Sequence, residues 1–218
     1  MIRLEKENPL VSIITPCYNG ENVMHRLLDS ILSQTYSNIE FILINDGSTD
    51  HSEEIWYQYE KKFNEKGIKT IYIHQRNQGL GAAINAGLKV FTGDYLCWPD
   101  IDDYFEDTSV EKRVNFLETH KEYGSVSSDA NQYMEDNLSE PVGTMASWLK
   151  HKEDEWQFEW LLKGQSLFCP GCHMLRTTSF LDVNPDRYIY PARRGQNNQM
   201  LLPIYYCLLY TSDAADEA

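Results

Sequence analysis

The chain has 218 residues, of which 42% are hydrophobic and 24% charged, so it can form one large soluble-type domain or one and a half. Its formal charge of −14 argues against a non-specific nucleic-acid surface, which needs a basic stripe, and no nucleic-acid partner is expected. No apolar run approaches the roughly 20 residues of a membrane span, and no signal core is visible. A cytoplasmic protein is therefore expected. A local basic patch could still hold it at the inner face of a membrane.

Strand and helix patterns alternate through the first part of the chain. The strands are predicted at 10–15, 39–44, 70–74 and 95–98, the helices at about 21–34, 50–64, 80–90 and 108–120, and a further strand at 124–128. This alternation predicts βαβ units and a mostly parallel sheet of the α/β class. Pro16 is expected to stop the first strand, and Asp50 and Thr108 are each expected to open a helix through a capping box.

The pattern changes after Asp129. Residues 131–143 are polar and predicted to be rich in loops, and residues 148–162 carry aromatic side chains on a possible helical face. Residues 167–176 are predicted to form a strand and a turn. The five cysteines are scattered in a chain without an export signal, which is typical of reduced thiols.

An acidic stretch follows the apolar run 95–98. In an extended chain the side chains of Asp100 and Asp102 would point the same way, with Asp103 beside them. Hard oxygen ligands of this kind suit Mg²⁺ or Mn²⁺, which also bind water and phosphate oxygens. The alternative is a solvated acidic turn before the helix at Thr108.

Polar residues also follow the first two strands. Tyr18 could stack on a base, and Asp46 could accept hydrogen bonds from a base or ribose. Gly47 allows a close backbone approach, and the segment that begins at Gly79 could present a helix N-terminus to phosphate. Each also has an ordinary interpretation, as a turn residue or as close packing of small residues against the sheet.

These signals occur in a fixed order along residues 10–128. The segments that carry the pattern are Val11-Ser12-Ile13-Ile14-Thr15-Pro16-Cys17-Tyr18-Asn19, Ser30-Ile31-Leu32-Ser33-Gln34-Thr35-Tyr36, Ile44-Asn45-Asp46-Gly47-Ser48-Thr49-Asp50, Asn77-Gln78-Gly79 with Ala83, Asn85 and Gly87, Gly93-Asp94-Tyr95, and Asp100-Ile101-Asp102-Asp103. As a set they resemble family 2 glycosyltransferases of the GT-A fold.

The resemblance implies an α/β GT-A (Rossmann-like) fold with a mostly parallel central sheet flanked by helices and a partial acceptor-side subdomain. Residues 8–128 would be the nucleotide-sugar-binding half, and 129–206 a truncated acceptor-side half. The implied activity moves a sugar from a nucleotide-diphosphate sugar, commonly a UDP-sugar, to an acceptor hydroxyl with inversion, in the synthesis of a surface polysaccharide or glycolipid. The implied partners are this donor and a saccharide or lipid-linked acceptor.

The resemblance also implies roles for individual residues. Tyr18 and Asp46 would hold the base, and Asp102, with Asp100 beside it, would bind Mn²⁺ or Mg²⁺ on the diphosphate. The full set implied to contact the nucleotide is Pro16, Tyr18, Asn19, Glu21, Asp46, Gly47, Asn77, Gly79, Ala82, Asn85 and Asp100.

The acceptor-side half matches the family less closely. Residues 194–199 carry amides where many members have a Glu-Asp pair that supplies the general base. Gln196 is therefore expected to contact the acceptor, and Asp186 is the candidate base, with a solvated turn aspartate as the alternative. Because no base is assured, the alternative function is a non-catalytic nucleotide-sugar-binding domain. The Cys-x-x-Cys-His pattern at 169–173 also matches haem attachment or half of a zinc site, but ordinary cysteines at a strand edge are expected.

The last residues look foreign to the rest of the chain. Cys207 to Glu217 resembles a translated sequencing-library adapter, so residues 207–218 are expected to be a non-native tail that packs against nothing. The alternative is a natural acidic tail.

Overall fold

The computed structural model describes residues 8–150, 157–166, 169–192, 195–207 and 209–211. The strands are β1 Val11–Cys17, β2 Ile39–Asn45, β3 Lys69–His74, β4 Tyr95–Cys97, β5 Tyr123–Ser127, β6 Asn131–Gln132, β7 Gly143–Thr144, β8 His173–Arg176 and β9 Leu209–Thr211. The helices are α1 Met24–Ser33, α2 Ser52–Lys66, α3 Leu80–Val90, α4 Ser109–Thr119, α5 Phe158–Leu162, α6 Thr177–Val183 and α7 Gln196–Cys207, with a short 3₁₀ helix at Pro170–Cys172.

The central sheet has the strand order β3-β2-β1-β4-β8-β5-β9. Strands β3, β2, β1 and β4 are parallel, whereas β8 runs antiparallel to both β4 and β5. Strands β6 and β7 form a separate hairpin. The predicted α/β class with a mostly parallel sheet flanked by helices is confirmed. Because parallel strands end at the same edge, the loops that follow β1, β2 and β4 meet there.

Both faces of the sheet are covered, which explains why its strands are continuous apolar runs. On one face, side chains such as Ile13 and Phe41 pack against α1, α2 and α4, around the fully buried Trp56. On the other face, Ile14 and Leu96 pack against α3, α6 and α7. The two layers fix the sheet edge on which the polar loops stand. No helix in the described part of the chain is long and apolar enough to cross a membrane.

Two local expectations are wrong. Pro16 does not stop β1 but lies within it, opposite Ile44. The pairing of β1 with β4 ends at Ile13, so at Pro16 the only neighbouring strand is β2. A position that pairs on one side only tolerates a residue without an N–H donor. The capping boxes do not form as expected either. The N-cap residues His51 and Thr108 make no side-chain cap bond, and the Asp50 carboxylate accepts instead from the backbone N–H of Ser52, the first residue of α2 (3.1 Å).

The second half differs more from the prediction. Within 148–162 the described helix is α5 alone, and residues 151–156 lie outside the described part of the chain. Helix α7 continues to Cys207, across the expected boundary at 206, and β9 pairs with β5 in the main sheet. The expectation that the tail packs against nothing is therefore wrong for residues 209–211. Residues 212–218 lie outside the described part.

Candidate active site

The loops after β1 and β2 brace each other at the sheet edge. The backbone N–H of Asn19 donates to the Ser48 hydroxyl (3.0 Å), and the Asn19 side-chain oxygen accepts from the backbone of Thr49 (2.8 Å). The Glu21 carboxylate accepts from the backbone N–H of His51 (2.9 Å). Asn19 and Glu21, both expected to contact a nucleotide, thus use side-chain atoms to fix the loops. Their binding role stays a prediction.

Asp46 follows the end of β2 and is 3% exposed. One carboxylate oxygen accepts from the Gln75 side chain (2.7 Å) and the Gln78 backbone (2.9 Å), and the other accepts from the Gly79 backbone (2.8 Å). Asp46 therefore holds the loop that leads into α3. A carboxylate offers about four acceptor positions, so these three hydrogen bonds leave one unused. Its role in binding a base stays a prediction.

Gly47 allows the backbone of residues 75–77 to pack closely against the loop after β2. Its φ of +73° is in the left-handed region, and a Cβ there would lie 2.7 Å from the backbone nitrogen of Asn77. Gly79 also has a positive φ, of +88°, and precedes the first residue of α3. Asp46, Gly47 and residues 75–79 thus form one packed unit at the sheet edge.

Asn85 and Ala82 lie on α3, and the Asn85 side chain does not face the loops after β1 and β2. Asn85 is buried, and its side chain donates to the Ile189 carbonyl and accepts from the Ile189 N–H, both at 2.8 Å. A Cβ on Gly81 would lie 2.8 Å from the Cα of Pro191, so only glycine permits this packing. Asn85 therefore ties α3 to the segment after α6.

We expect Asn85→Ala to lower the free energy of unfolding by about 2 kcal/mol, because two buried backbone groups of Ile189 lose their partners. Urea denaturation measures this loss, and Asn115→Ala on the surface of α4 is the control. A loss below about 0.5 kcal/mol would show that these hydrogen bonds are replaced by water.

Residues Asp100 to Asp103 form a turn rather than an extended strand end. The Asp103 N–H donates to the Asp100 carbonyl, and the Asp100 N–H donates to the Asp103 carboxylate, both at 3.2 Å. Asp100 consequently lines a cavity of about 370 Å³, whereas Asp102 and Asp103 line another of about 740 Å³. The expectation that Asp100 and Asp102 point the same way is wrong, since alternation holds only in extended chain.

The three carboxyl groups still influence one another. Burial, followed by the charges of Asp103 and Asp102, raises the pKa of Asp100 to about 7. Burial also raises the pKa of Asp103. This concentration of oxygen donors and negative charge fits a hard divalent cation. The described residues contain no group of three or more His, Cys, Asp or Glu side chains arranged around one metal. A cation here would therefore take its other ligands from water and substrate, as Mg²⁺ commonly does.

The smaller cavity is lined by the start of α7. The side chain of Gln196 donates to the Ala192 carbonyl, and the Asn197 side-chain oxygen accepts from the Trp98 indole N–H (2.9 Å). The side-chain oxygen of Asn198 is buried without a hydrogen-bond partner among the described residues. The complete lining is Leu80, Ile84, Trp98, Asp100, Pro170, Gly195, Gln196, Asn197 and Asn198. The sequence pattern points to Gln196 but not to the link from α7 to Trp98, because that link joins residues 99 positions apart.

Asp186, the candidate base, is not brought into this group. It is exposed and lines neither cavity. Its neighbour Arg187 donates to the carbonyl of Phe91, which follows the C-terminal end of α3. The other end of that helix, at Leu80, lines the smaller cavity and lies about 16 Å away along the helix axis. The structure thus places Asp186 far from the acidic turn.

Cys169 and Cys172 face the larger cavity as free thiols. The Cys169 sulfur lies 3.8 Å from an Asp103 oxygen, and the hydrogen bond to Cys172, followed by burial, raises the pKa of the Cys169 thiol. A buried thiol with a raised pKa is typically unreactive, and the expectation of reduced, ordinary cysteines stays a prediction.

Comparison with known proteins points to one family, the glycosyltransferases of family 2. A profile of glycosyl transferase family 2 matches residues 12–183. An uncharacterized glycosyltransferase of Rickettsia prowazekii is 44% identical over 110 residues, which cover 50% of this chain and 32% of the relative. The chain thus spans about a third of that relative's length.

Two solved structures share the fold. One is TarS of S. aureus in complex with UDP-GlcNAc, with a TM-score of 0.70, 21% identity and coverage of 94% of this chain and 57% of that one. The other is the mannosyltransferase PcManGT of Pyrobaculum calidifontis with GDP-Man and Mn²⁺, with a TM-score of 0.53, 21% identity and coverage of 58% and 37%.

Proposed function

The chain belongs to glycosyl transferase family 2, and from this membership we propose that it transfers a sugar from a nucleotide-diphosphate sugar to an acceptor hydroxyl. The donor is proposed to be a UDP-sugar, since the TarS structure holds UDP-GlcNAc, although PcManGT holds GDP-Man. Inversion at the anomeric carbon, a role in surface polysaccharide or glycolipid synthesis, and work in the cytoplasm at the inner face of the membrane belong to the same proposal.

One observation carries the proposal. A base-sized aromatic face, a loop-fixing carboxylate and an acidic turn follow β1, β2 and β4 and stand on one edge of the sheet. In open α/β sheets this edge is where ligands bind. Tyr18 and Asp46 are proposed to hold the base, and Asp100 and Asp102 to face the diphosphate.

The residues around the turn supply orientation and charge. A divalent cation held by Asp102, with Asp100 across the turn adding negative charge, would supply positive charge to the departing nucleoside diphosphate. Trp98 closely precedes the acidic turn, and Asn197 holds its indole ring. The bond from Trp98 to Asn197 thus sets the turn against the start of α7, which lines the smaller cavity, and we place the donor sugar in that cavity.

The transfer forms a bond from the acceptor oxygen to the anomeric carbon and breaks the bond to the diphosphate, while the acceptor hydroxyl gives up its proton to a base or to a phosphate oxygen of the departing diphosphate. Gln196, Asn197 and Asn198 have no useful basicity, so they are proposed to hydrogen-bond sugar hydroxyls instead. The candidate base, Asp186, would act only if its exposed turn moved.

These amides favour one alternative, a domain that binds a nucleotide-sugar without catalysis. Binding is common to both functions and is tested first. We expect calorimetry to show that UDP binds the protein more tightly with Mn²⁺ than without it, and more tightly than ADP. Absence of binding by UDP and GDP in the presence of Mn²⁺ would contradict both functions, and tighter binding of GDP would correct the donor.

A further inference from the structure

Residues 187–192, which we call the strap, follow α6 and are fastened to both α3 and α7. The strap begins at Arg187, whose φ of +51° is in the left-handed region and whose side chain donates to the Phe91 carbonyl just after α3 (2.9 Å). It ends at Ala192, whose carbonyl accepts from the side chain of Gln196, the first residue of α7. The two ends of the strap are therefore attached to different helices.

Between these ends the strap runs antiparallel to α3. After Arg187, the next contacts join Ile189 to Asn85 and Pro191 to Gly81, so the chain moves towards the start of the helix. The Asn85 amide donates to the Ile189 carbonyl and accepts from the Ile189 N–H, both at 2.8 Å. Because one side chain binds both polar groups of one backbone residue, the strap cannot shift along α3 without losing both bonds.

Gln199 of α7 binds the next residue of the strap in the same way. Its side-chain oxygen accepts from the Tyr190 N–H (2.7 Å), and its amide nitrogen donates to the Tyr190 carbonyl (3.0 Å). The Tyr190 ring is 72% exposed, so the backbone of this residue and not its ring makes the attachment. Two consecutive strap residues are thus paired with amide side chains from two different helices.

These attachments adjoin two walls of the smaller cavity. The wall residues that come from α3 and from the start of α7 are Leu80, Ile84, Gln196, Asn197 and Asn198. Gly81 and Asn85 each directly follow one of the α3 wall residues, and Gln199 directly follows the last one from α7. Since the Cα atoms of consecutive residues are about 3.8 Å apart, the strap leaves little freedom in the separation of the two walls.

The groups proposed to hold the base do not depend on the strap. Asp46 is bound by the Gln75 side chain and by the backbone of Gln78 and Gly79. A change in the strap should therefore alter the smaller cavity without altering the surroundings of Asp46. A tie that served stability alone would instead affect the binding of nucleotide and sugar to the same extent.

We propose that Asn85 and Gln199 are positioning residues for the donor sugar, and that they act through the strap by fixing the width of the smaller cavity. The assignment rests on the proposed transfer function and on the placement of the donor sugar in that cavity. It gives Asn85 a role that differs from the expected contact with the nucleotide, because its side chain binds Ile189.

Calorimetry on Gln199→Ala tests this assignment, with UDP, UDP-glucose, UDP-galactose and UDP-GlcNAc as probes in the presence of Mn²⁺. The substitution removes both bonds to Tyr190 from a half-buried position, so the variant should fold. We expect its affinity for the UDP-sugar that the wild type binds most tightly to fall by about fivefold or more, and its affinity for UDP to change by less than about twofold.

Two further variants complete the comparison. Asn85→Ala frees the strap from the other helix, and where it is folded it should show the same selective loss of UDP-sugar affinity. Gln58→Ala removes an exposed glutamine from α2 and is the matched control, which should bind both ligands as the wild type does. Hydrogen exchange at the Tyr190 N–H should become faster in Gln199→Ala, because its acceptor is lost.

The possible results separate this proposal from the one on which it rests. If UDP does not bind the wild type, the nucleotide function fails, and the assignment of the strap fails with it. If UDP binds, the assignment alone is overturned when the folded variants keep the wild-type ratio of UDP-sugar to UDP affinity, which includes an equal loss of both. Unchanged exchange at Tyr190, or a wild type that binds UDP but no UDP-sugar, would also overturn it.

Discussion

Asp102→Asn is expected to weaken the Mn²⁺-dependent binding of a UDP-sugar by roughly 100-fold, because the amide keeps the shape of the side chain but loses the charge that attracts a cation. Asp102 is exposed on the turn after β4, so its side chain is not required for packing. The melting temperature without metal should therefore match the wild type. Calorimetry with and without Mn²⁺ measures the effect.

Asp107→Asn is the matched control for this substitution. Asp107 is also an exposed aspartate, it lies just before α4, and its carboxylate accepts a hydrogen bond from the Ser33 hydroxyl (2.6 Å). Its replacement should leave the Mn²⁺ effect intact. If Mn²⁺ strengthens binding equally in Asp102→Asn, another residue holds the cation.

Asp46→Ala should lower the free energy of unfolding by about 3–5 kcal/mol, the largest stability effect that we expect. The substitution leaves three donors without their acceptor, namely the side chain of Gln75 and the backbone N–H groups of Gln78 and Gly79. UDP affinity should fall as well, by about 1–3 kcal/mol, because the acceptor proposed for the base is lost. Urea denaturation and calorimetry give the two values separately.

Asp107→Ala is the control for the stability measurement, since it removes one hydrogen bond at the surface and should change stability by less than about 1 kcal/mol. A loss of stability in Asp46→Ala no larger than in this control would show that the carboxylate does not hold the loop. A large loss of stability with unchanged UDP affinity would leave Asp46 its structural role only.

The first half of the fold can be predicted because its signals are local. Apolar runs and helical spacing predict β1 to β4 and α1 to α4 within a few residues. The position of β8 cannot be predicted in the same way. It lies between β4 and β5 and runs antiparallel to both, and nothing in its four residues specifies those neighbours. Strands β6 and β7 have two residues each, too few for a periodic pattern.

The candidate site can be predicted as a set of positions but not as a set of contacts. Asp46 lies at the strand end where the pattern predicts it, but the loop that it holds is about 30 residues further along the chain. Asn85, expected at a nucleotide, bonds Ile189, 104 residues away. An extended chain would put Asp100 and Asp102 on one side, but a hydrogen-bonded turn separates them. Each difference comes from a contact that local periodicity does not encode.

The most direct test of the proposed function is the release of UDP from a panel of UDP-sugars with Mn²⁺ and no added acceptor, where water takes the place of the acceptor hydroxyl. We predict slow release by the wild type and by Asp107→Asn, and none above background by Asp102→Asn. If the wild type binds UDP-sugars but releases no UDP, with or without cellobiose or lactose added as an acceptor, the chain is a binding domain and the proposed transfer is contradicted.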